Sequence, residues 1–127
     1  MILNNNFFTI KSQNITDGKA EFRIKLNAEH FIYRAHFPNN PITPGVCLLQ
    51  MTEELFSSLK GINFRIKALK NVKFTATINP LEFPEVDFLL DFVENENRWQ
   101  VKVLIKENET VFAKISLALE TVLKERG

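Results

Sequence analysis

One segment of helical periodicity lies between strand-like segments, and it limits the folds that this chain can adopt. Apolar residues recur at about every third or fourth position after Gly45, and the pattern continues to a Lys60-Gly61 pair. This spacing predicts a helix over residues 46–60, with about four turns. Its start is apolar at nearly every position, which indicates burial on most sides. The chain therefore needs a fold in which other elements surround one helix.

Strand-like segments lie on both sides of this helix. Residues 7–15 and 20–26 flank an Asp17-Gly18 pair, which supplies the positive φ of a tight hairpin. After the helix, four segments are rich in aromatic and β-branched residues: 64–78, 86–93, 99–105 and 111–119. Their short polar connections predict antiparallel neighbours. We predict an α+β fold in a single domain over residues 1–127, with an antiparallel sheet wrapped around one long central helix.

The composition argues against several classes of function. The 127 residues have a formal net charge of +1, so the chain lacks the strong positive field that is typical of a nucleic-acid binder. The single cysteine, Cys47, cannot form an internal disulfide, and no Cys/His cluster has the spacing of a metal site. Neither a secretory signal nor the roughly 18 apolar residues of a membrane span is present. We expect a cytoplasmic protein without nucleic-acid partner, metal or cofactor.

Prolines at every third position from Pro38 to Pro44 shape the segment before the helix. They remove backbone donors and fix φ, so residues 27–45 are predicted to form a stiff loop. His36 lies in this loop, where a histidine is either a structural residue or a general base. Because Gly45 has no side chain, a ligand could approach the helix start, whose unpaired amides can stabilise an oxyanion.

The same segment carries a family resemblance. From His36 to Val46 the chain reads His-Phe-Pro-Asn-Asn-Pro-Ile-Thr-Pro-Gly-Val. This resembles the His-Phe-Pro-Gly-x-Pro-x-x-Pro-Gly-Val signature of the bacterial β-hydroxyacyl-acyl-carrier-protein dehydratases. Val72-Lys73-Phe74 is similar to a strand of that family, and the resemblance extends over about residues 29–120. It implies a hot-dog fold and a homodimer, or a higher oligomer or heteromer with a paralogue, whose active sites form between subunits.

The resemblance also implies a reaction. In this family a histidine removes the α-proton of a 3-hydroxyacyl thioester, a glycine amide holds the thioester oxygen, and an acid on the partner helix protonates the departing hydroxyl. The first two roles map onto His36 and Gly45. The acid maps onto position 50, where this chain has Gln50. Glu54 lies one turn further on the same helix face, where it is either a substitute acid or a solvated or dimer-rim charge.

Other residues around the motif have predicted roles. The residues expected to contact the substrate, a thioester of acyl carrier protein or of coenzyme A, are Phe37, Pro44 and Val46. Cys47 is either a nucleophile on the first helical turn or a small buried hydrophobe, and His30 is expected to be a loop residue. A basic group would meet an acidic carrier protein or form an ordinary solvated face: Arg34, Arg65, Lys67, Lys70 and Lys73.

Three functions are compatible with this pattern. The first is a hydro-lyase that eliminates water from a 3-hydroxyacyl thioester in fatty-acid or polyketide-like biosynthesis. Because a glutamine cannot supply a proton at neutral pH, Gln50 favours the second, a non-catalytic dehydratase-like subunit or an acyl-binding protein. The third is a hot-dog acyl thioesterase, since a fold alone does not determine the reaction.

Overall fold

A computed structural model describes residues 2–122 of the chain. Its elements are β1 (Phe8–Thr16), β2 (Lys19–Leu26), α1 (Phe31–Ala35), α2 (Gly45–Lys60), β3 (Phe64–Phe74), β4 (Glu85–Asn95), β5 (Arg98–Glu107) and β6 (Thr110–Thr121). The strands form one antiparallel sheet in the order β1-β2-β4-β5-β6-β3. The predicted α+β architecture is confirmed.

The sheet buries one face against α2, as the alternation along its strands predicts. On β2, for example, Phe22 and Ile24 are buried whereas Glu21 and Lys25 are exposed. The same alternation places one apolar row of each central strand in the core, and it continues on β4, β5 and β6. Burying a large apolar side chain contributes about 1.5–3 kcal/mol, so these rows define which face of the sheet packs inward.

Helix α2 begins one residue before its predicted start and ends at Lys60. Gly61 follows with φ 73°, a left-handed conformation, and its amide donates to the Ser57 carbonyl at 2.8 Å. Glycine adopts this conformation without steric cost, which explains the stop after Lys60. The helix buries six side chains: Cys47, Leu48, Met51, Thr52, Leu55 and Phe56. None of the helices within residues 2–122 is long and apolar enough to cross a membrane.

The loop predicted over residues 27–45 was wrong in one part, because it contains the short helix α1. His30, expected to be a loop residue, is its N-cap, and its Nδ1 accepts a hydrogen bond from the Ile32 amide at 3.1 Å. Burial lowers the pKa of His30, which favours the neutral ring that can accept this bond. The helix can form because the first proline, Pro38, comes after its end.

Strand β3 lies at one edge of the sheet and ends at Phe74, four residues before the predicted end. Its register with β6 shifts twice, so that Lys67 and Lys70 have no paired residue on β6. Such bulges twist an edge strand and interrupt its ladder. Beyond Phe74 the chain leaves the strand, and the Thr75 amide still donates to the Phe112 carbonyl of β6 at 2.8 Å.

Candidate active site

His36 and the start of α2 line one cavity of about 310 Å³. Its walls come from the proline-rich loop, from the first turn of α2 and from residues 74–78. Phe37, Pro44 and Gly45 are among the lining residues, whereas Val46 lies outside the lining and is 72% exposed. Clefts of larger volume lie elsewhere on the surface, but this one combines the histidine with the helix start.

Backbone hydrogen bonds close the loop that carries His36. The His36 amide donates to the Ile32 carbonyl at 3.0 Å, and its carbonyl accepts from the Ile42 amide at 2.8 Å. Phe37 and Asn40 exchange two further backbone hydrogen bonds, at 3.2 and 3.0 Å. The His36 ring is exposed and meets the Phe37 ring in a T-shaped contact, with centroids 5.7 Å apart. The loop therefore fixes the backbone of His36 and leaves its ring accessible to a ligand.

A buried hydrogen-bond chain attaches this loop to the rest of the fold. Thr43 Oγ1 donates to the Ile78 carbonyl at 3.1 Å, so the Tyr33 hydroxyl, 2.8 Å away, donates to Thr43. The Thr43 amide also donates to the Ile78 carbonyl, at 2.9 Å. Burial raises the pKa of Tyr33, which keeps the phenol protonated as a donor. This pair was not predicted from the sequence, where the only signal was the presence of two polar residues near the proline-rich loop.

The first amides of α2 have no side-chain cap. Pro44 is the N-cap residue and makes no side-chain hydrogen bond, and the Cys47 amide is the first helical donor to reach the Pro44 carbonyl, at 3.0 Å. The amides of Gly45 and Val46 precede that bond and carry part of the positive end of the helix dipole. A helix start of this kind can hold an oxygen atom that gains negative charge.

The ring of Phe74 fills the space beside Gly45. A Cβ atom at Gly45 would lie 2.6 Å from Cζ and 2.8 Å from Cε2 of this ring, closer than real Cβ contacts. The absence of a side chain at Gly45 therefore leaves room for the Phe74 ring in this position, a contact that was not predicted from the sequence. The Val72-Lys73-Phe74 motif was the available signal, but it gave no indication that its phenylalanine lies against the helix start.

Gln50 and Glu54 lie outside the cavity lining, further along α2. The Glu54 carboxylate accepts from the Leu3 amide at 3.1 and 2.9 Å and from the Asn4 amide at 2.7 Å. Gln50 Nε2 donates to the same carboxylate at 2.9 Å. Glu54 is thus not the solvated charge that was one expectation, because it binds the N-terminal segment to α2. Its role as a substitute acid stays a prediction, which requires the carboxylate to leave these donors.

Glu53 also has a structural contact, because its carboxylate accepts from the Ile66 amide of β3 at 2.7 Å. Burial raises the pKa of the Cys47 thiol, which disfavours the thiolate and supports the interpretation of Cys47 as a small hydrophobe.

In the predicted basic group, Arg65 pairs with Glu120 at 3.0 Å, whereas the three lysines of β3 are exposed. Within residues 2–122, no group of three or more His, Cys, Asp or Glu could hold a metal ion.

Comparisons with known proteins agree on the fold. The model of the ApeI-like family, described as ApeI dehydratase, matches residues 11–115. No curated protein matches the chain significantly by sequence. A chain of the dehydratase heterocomplex ApeI:P from Xenorhabdus doucetiae is similar with a TM-score of 0.64 and 17% identity, over 87% of this chain and 95% of that chain. A proposed thioesterase from Lactococcus lactis has a TM-score of 0.64 and 14% identity, over 94% and 95% of the two chains.

An uncharacterized protein from Erwinia carotovora subsp. atroseptica has a TM-score of 0.64 and 18% identity, over 89% of this chain and 93% of that chain. At these identities the solved structures show the fold alone, and they confirm the predicted hot-dog fold. The family match supports a dehydratase-like hot-dog protein, which is a broader class than the acyl-carrier-protein dehydratases named by the motif.

Proposed function

This chain belongs to the ApeI-like dehydratase family, and we propose that it eliminates water from a 3-hydroxyacyl thioester. The observation that carries this proposal is a cavity lined by both His36 and Gly45. Removal of the α-proton of a thioester needs a base and a donor that stabilises the oxygen of the resulting enolate. The accessible His36 ring and the uncapped Gly45 amide are suited to these two roles.

The proposed reaction begins at the α-carbon. His36 takes the α-proton while the thioester oxygen gains negative charge beside the Gly45 amide. A preorganised donor in such a position typically contributes about 2.7–4 kcal/mol to the stability of the transition state. The enolate then collapses, the bond between the β-carbon and its hydroxyl oxygen breaks, and protonated His36 returns its proton to the departing oxygen. The products are an enoyl thioester and water, and His36 is neutral again.

Gln50 gives this proposal an unusual feature, since the resemblance expects an acid at its position. A carboxamide can hydrogen-bond a hydroxyl or a water molecule but cannot donate a proton at neutral pH. We therefore assign both proton transfers to His36 and give Gln50 of the partner subunit the role of orienting the leaving hydroxyl. Because a general acid typically accelerates a reaction about 100- to 10,000-fold, the reaction would be slow for this family.

The site is proposed to form between two subunits. Val46, Leu69 and Phe74 are at least half exposed at the start of α2 and along β3. Apolar surface next to an unpaired strand edge is suited to a second subunit, either another copy or a paralogue. The exposed Lys70 and Lys73 could meet the acidic surface of an acyl carrier protein. We also propose that the protein acts in the cytoplasm, in fatty-acid or polyketide-like biosynthesis.

One assay distinguishes the candidate functions. The protein is incubated with a 3-hydroxyacyl-pantetheine and, separately, with the matching acyl-pantetheine that lacks the hydroxyl. We expect mass spectrometry to detect an enoyl product from the first compound only. Release of free thiol from both compounds, without enoyl product, would instead indicate a thioesterase. If neither reaction occurs in a folded protein, dehydration by this chain alone is excluded.

The non-catalytic alternative has a specific observation in its favour, the glutamine at position 50. One of the similar structures is described as a dehydratase heterocomplex. A paralogue could supply the missing acid in such an assembly. This alternative predicts that the isolated chain is inactive in the assay above and that a stable complex with an acid-bearing paralogue restores dehydration.

A further inference from the structure

Phe74 contributes to the cavity in a way that the proposed reaction does not use. It is the last residue of β3, and its ring lies on Gly45, at the point where α2 begins. The same ring lines the cavity together with His36. A thioester whose oxygen reaches the Gly45 amide must therefore lie next to the Phe74 ring. This places one aromatic side chain beside both of the groups that we assign to the reaction.

The other large apolar walls of the cavity have less freedom. Leu48 is 3% exposed and Ile78 is 1% exposed, so both belong to the core and cannot move without disturbing its packing. Phe37 is half exposed, but its ring packs beside His36. Phe74 is 52% exposed and stands on an edge strand. Its ring can therefore turn, or be replaced, without creating a hole in the core.

We propose that Phe74 is the specificity-determining residue of this cavity, because its ring limits the size of the acyl group that can lie beside Gly45. The inference rests on the proposed function in one respect, since it takes the ligand to be an acyl thioester. A cavity of about 310 Å³ is at the lower end of the roughly 300–1,000 Å³ that ligand cavities occupy. Removing the ring would enlarge it directly at the helix start.

The experiment measures binding without any reaction. Butyryl-, octanoyl- and dodecanoyl-pantetheine analogues, with an amide in place of the thioester, can be neither dehydrated nor readily hydrolysed. Their affinities are measured by isothermal titration calorimetry for the unmodified chain, Phe74→Ala and Phe74→Trp. We expect Phe74→Ala to favour dodecanoyl over butyryl by about tenfold more than the unmodified chain does, and Phe74→Trp to shift the ratio the other way.

Val93→Ala is the matched control, because Val93 is also an apolar strand residue, is 62% exposed, and neither lines the cavity nor belongs to the surface proposed to meet a second subunit. It should leave the ratio of affinities unchanged. Equal ratios in the unmodified chain and in a folded Phe74→Ala would overturn the role of Phe74. If Phe74→Ala fails to fold, Phe74→Leu carries the same prediction with a smaller shift. If the unmodified chain binds none of the analogues, acyl binding itself fails, and both proposals fail with it.

Discussion

The start and the middle of α2 use their polar groups in opposite ways. At the start, the Gly45 amide has no side-chain cap, and the nearby His36 ring is exposed in a cavity. In the middle, Glu53 accepts from an amide of β3, and Glu54 accepts from the amides of Leu3 and Asn4. Carboxylates with such donors serve the fold, whereas an uncapped helix start with an accessible ring can serve a ligand.

This difference separates two kinds of residue that a motif alone would group together. Substitutions at the start of α2 should change activity and ligand binding with little effect on folding. Substitutions of Glu53 and Glu54 in its middle should change stability first, whereas Gln50 is also assigned a role in the reaction. The following variants test that separation, beginning with the largest expected effect.

His36→Ala should have the largest effect on activity. Without the imidazole, no group that lines the cavity is assigned to remove the α-proton, so we expect dehydration of a 3-hydroxyacyl-pantetheine to fall about 100- to 10,000-fold. The ring is exposed, so the free energy of unfolding should change by less than about 0.5 kcal/mol. His30→Ala is the control, since it removes the cap of α1 and should cost stability instead. Equal activity of His36→Ala and the unmodified chain would exclude His36 as the base.

Exchanging Gln50 and Glu54 should raise the rate of dehydration. The double variant Gln50→Glu/Glu54→Gln restores the order of acid and amide that the resemblance expects, and it keeps a possible hydrogen bond between the two positions. If the site forms between subunits as proposed, the new carboxylic acid can protonate the leaving hydroxyl, and we expect a gain of at least about tenfold in the initial rate.

The single variant Gln50→Glu is the informative control for this exchange. It places a second carboxyl group within 2.9 Å of the Glu54 carboxylate, if the side chains keep their positions. Two carboxylates at that distance cannot both be ionised without cost, so one of them should have a raised pKa. We expect a lower thermal midpoint than in the exchanged pair. An unchanged rate in both variants would show that position 50 does not meet the substrate.

The role of Glu54 in the middle of α2 could not be predicted from the sequence. Periodicity located β2 and α2 because each buries one face, and the Asp17-Gly18 turn identified the hairpin that β2 forms with β1. Glu54 instead takes its role from Leu3, which is far away in sequence, and no local pattern records that contact. The carboxylate therefore seemed to belong to solvent or to the reaction.

In the candidate site, too, a contact between segments that are distant in sequence could not be predicted from a local pattern. The fixed spacing of the proline-rich loop located His36 and Gly45, since both are close in sequence to the helix start. The Phe74 ring reaches Gly45 only after β3 has been placed at the edge of the sheet. Helix α1 was missed for another reason, because its five residues are too few to show a helical period.

Glu54→Ala should lower stability without affecting the chemistry of His36. A hydrogen bond to a charged group contributes about 1.5–3 kcal/mol, and this carboxylate accepts several, although the N-terminal segment can be solvated when released. We expect a loss of about 2 kcal/mol in urea unfolding and faster hydrogen exchange at the Leu3 and Asn4 amides. Glu94→Ala, an exposed carboxylate on β4, is the control. Unchanged exchange at both amides would contradict the predicted release.

Arg23 offers a test of stability far from α2. Its guanidinium binds Glu107 with two hydrogen bonds of 2.7 and 2.8 Å and also contacts Glu85 and Asp87 at 3.1 Å. These bonds hold the pKa of Glu107 below its usual 4.5, against the opposing effect of burial. We expect Arg23→Met to lower the free energy of unfolding by about 1–2 kcal/mol at neutral pH and to leave dehydration unchanged.

The pH dependence gives the sign of this contribution. Because the folded-state pKa of Glu107 is depressed, the unfolded chain binds more protons as the pH falls below about 4.5. The contribution is complete above that pH and is lost as the pH falls through the folded-state pKa. Urea titrations should therefore show a steeper acid loss in the unmodified chain than in Arg23→Met. Lys19→Met, which removes a pair with side chains 71% and 61% exposed, should show no such difference.

The smallest expected effect concerns Gly45→Ala, whose effect on the free energy of unfolding should change sign when the Phe74 ring is removed. In the unmodified chain, Gly45→Ala places a methyl group against the Phe74 ring, which must turn away, and we expect a loss of about 1 kcal/mol. In a Phe74→Ala background the ring is absent, and alanine is the better helix residue by about 0.5–1 kcal/mol, so the same substitution should be neutral or stabilising. A double-mutant cycle in urea measures this coupling. Additive effects would show that the ring does not rest on the glycine, and the start of α2 would then be open to a ligand without any movement of Phe74.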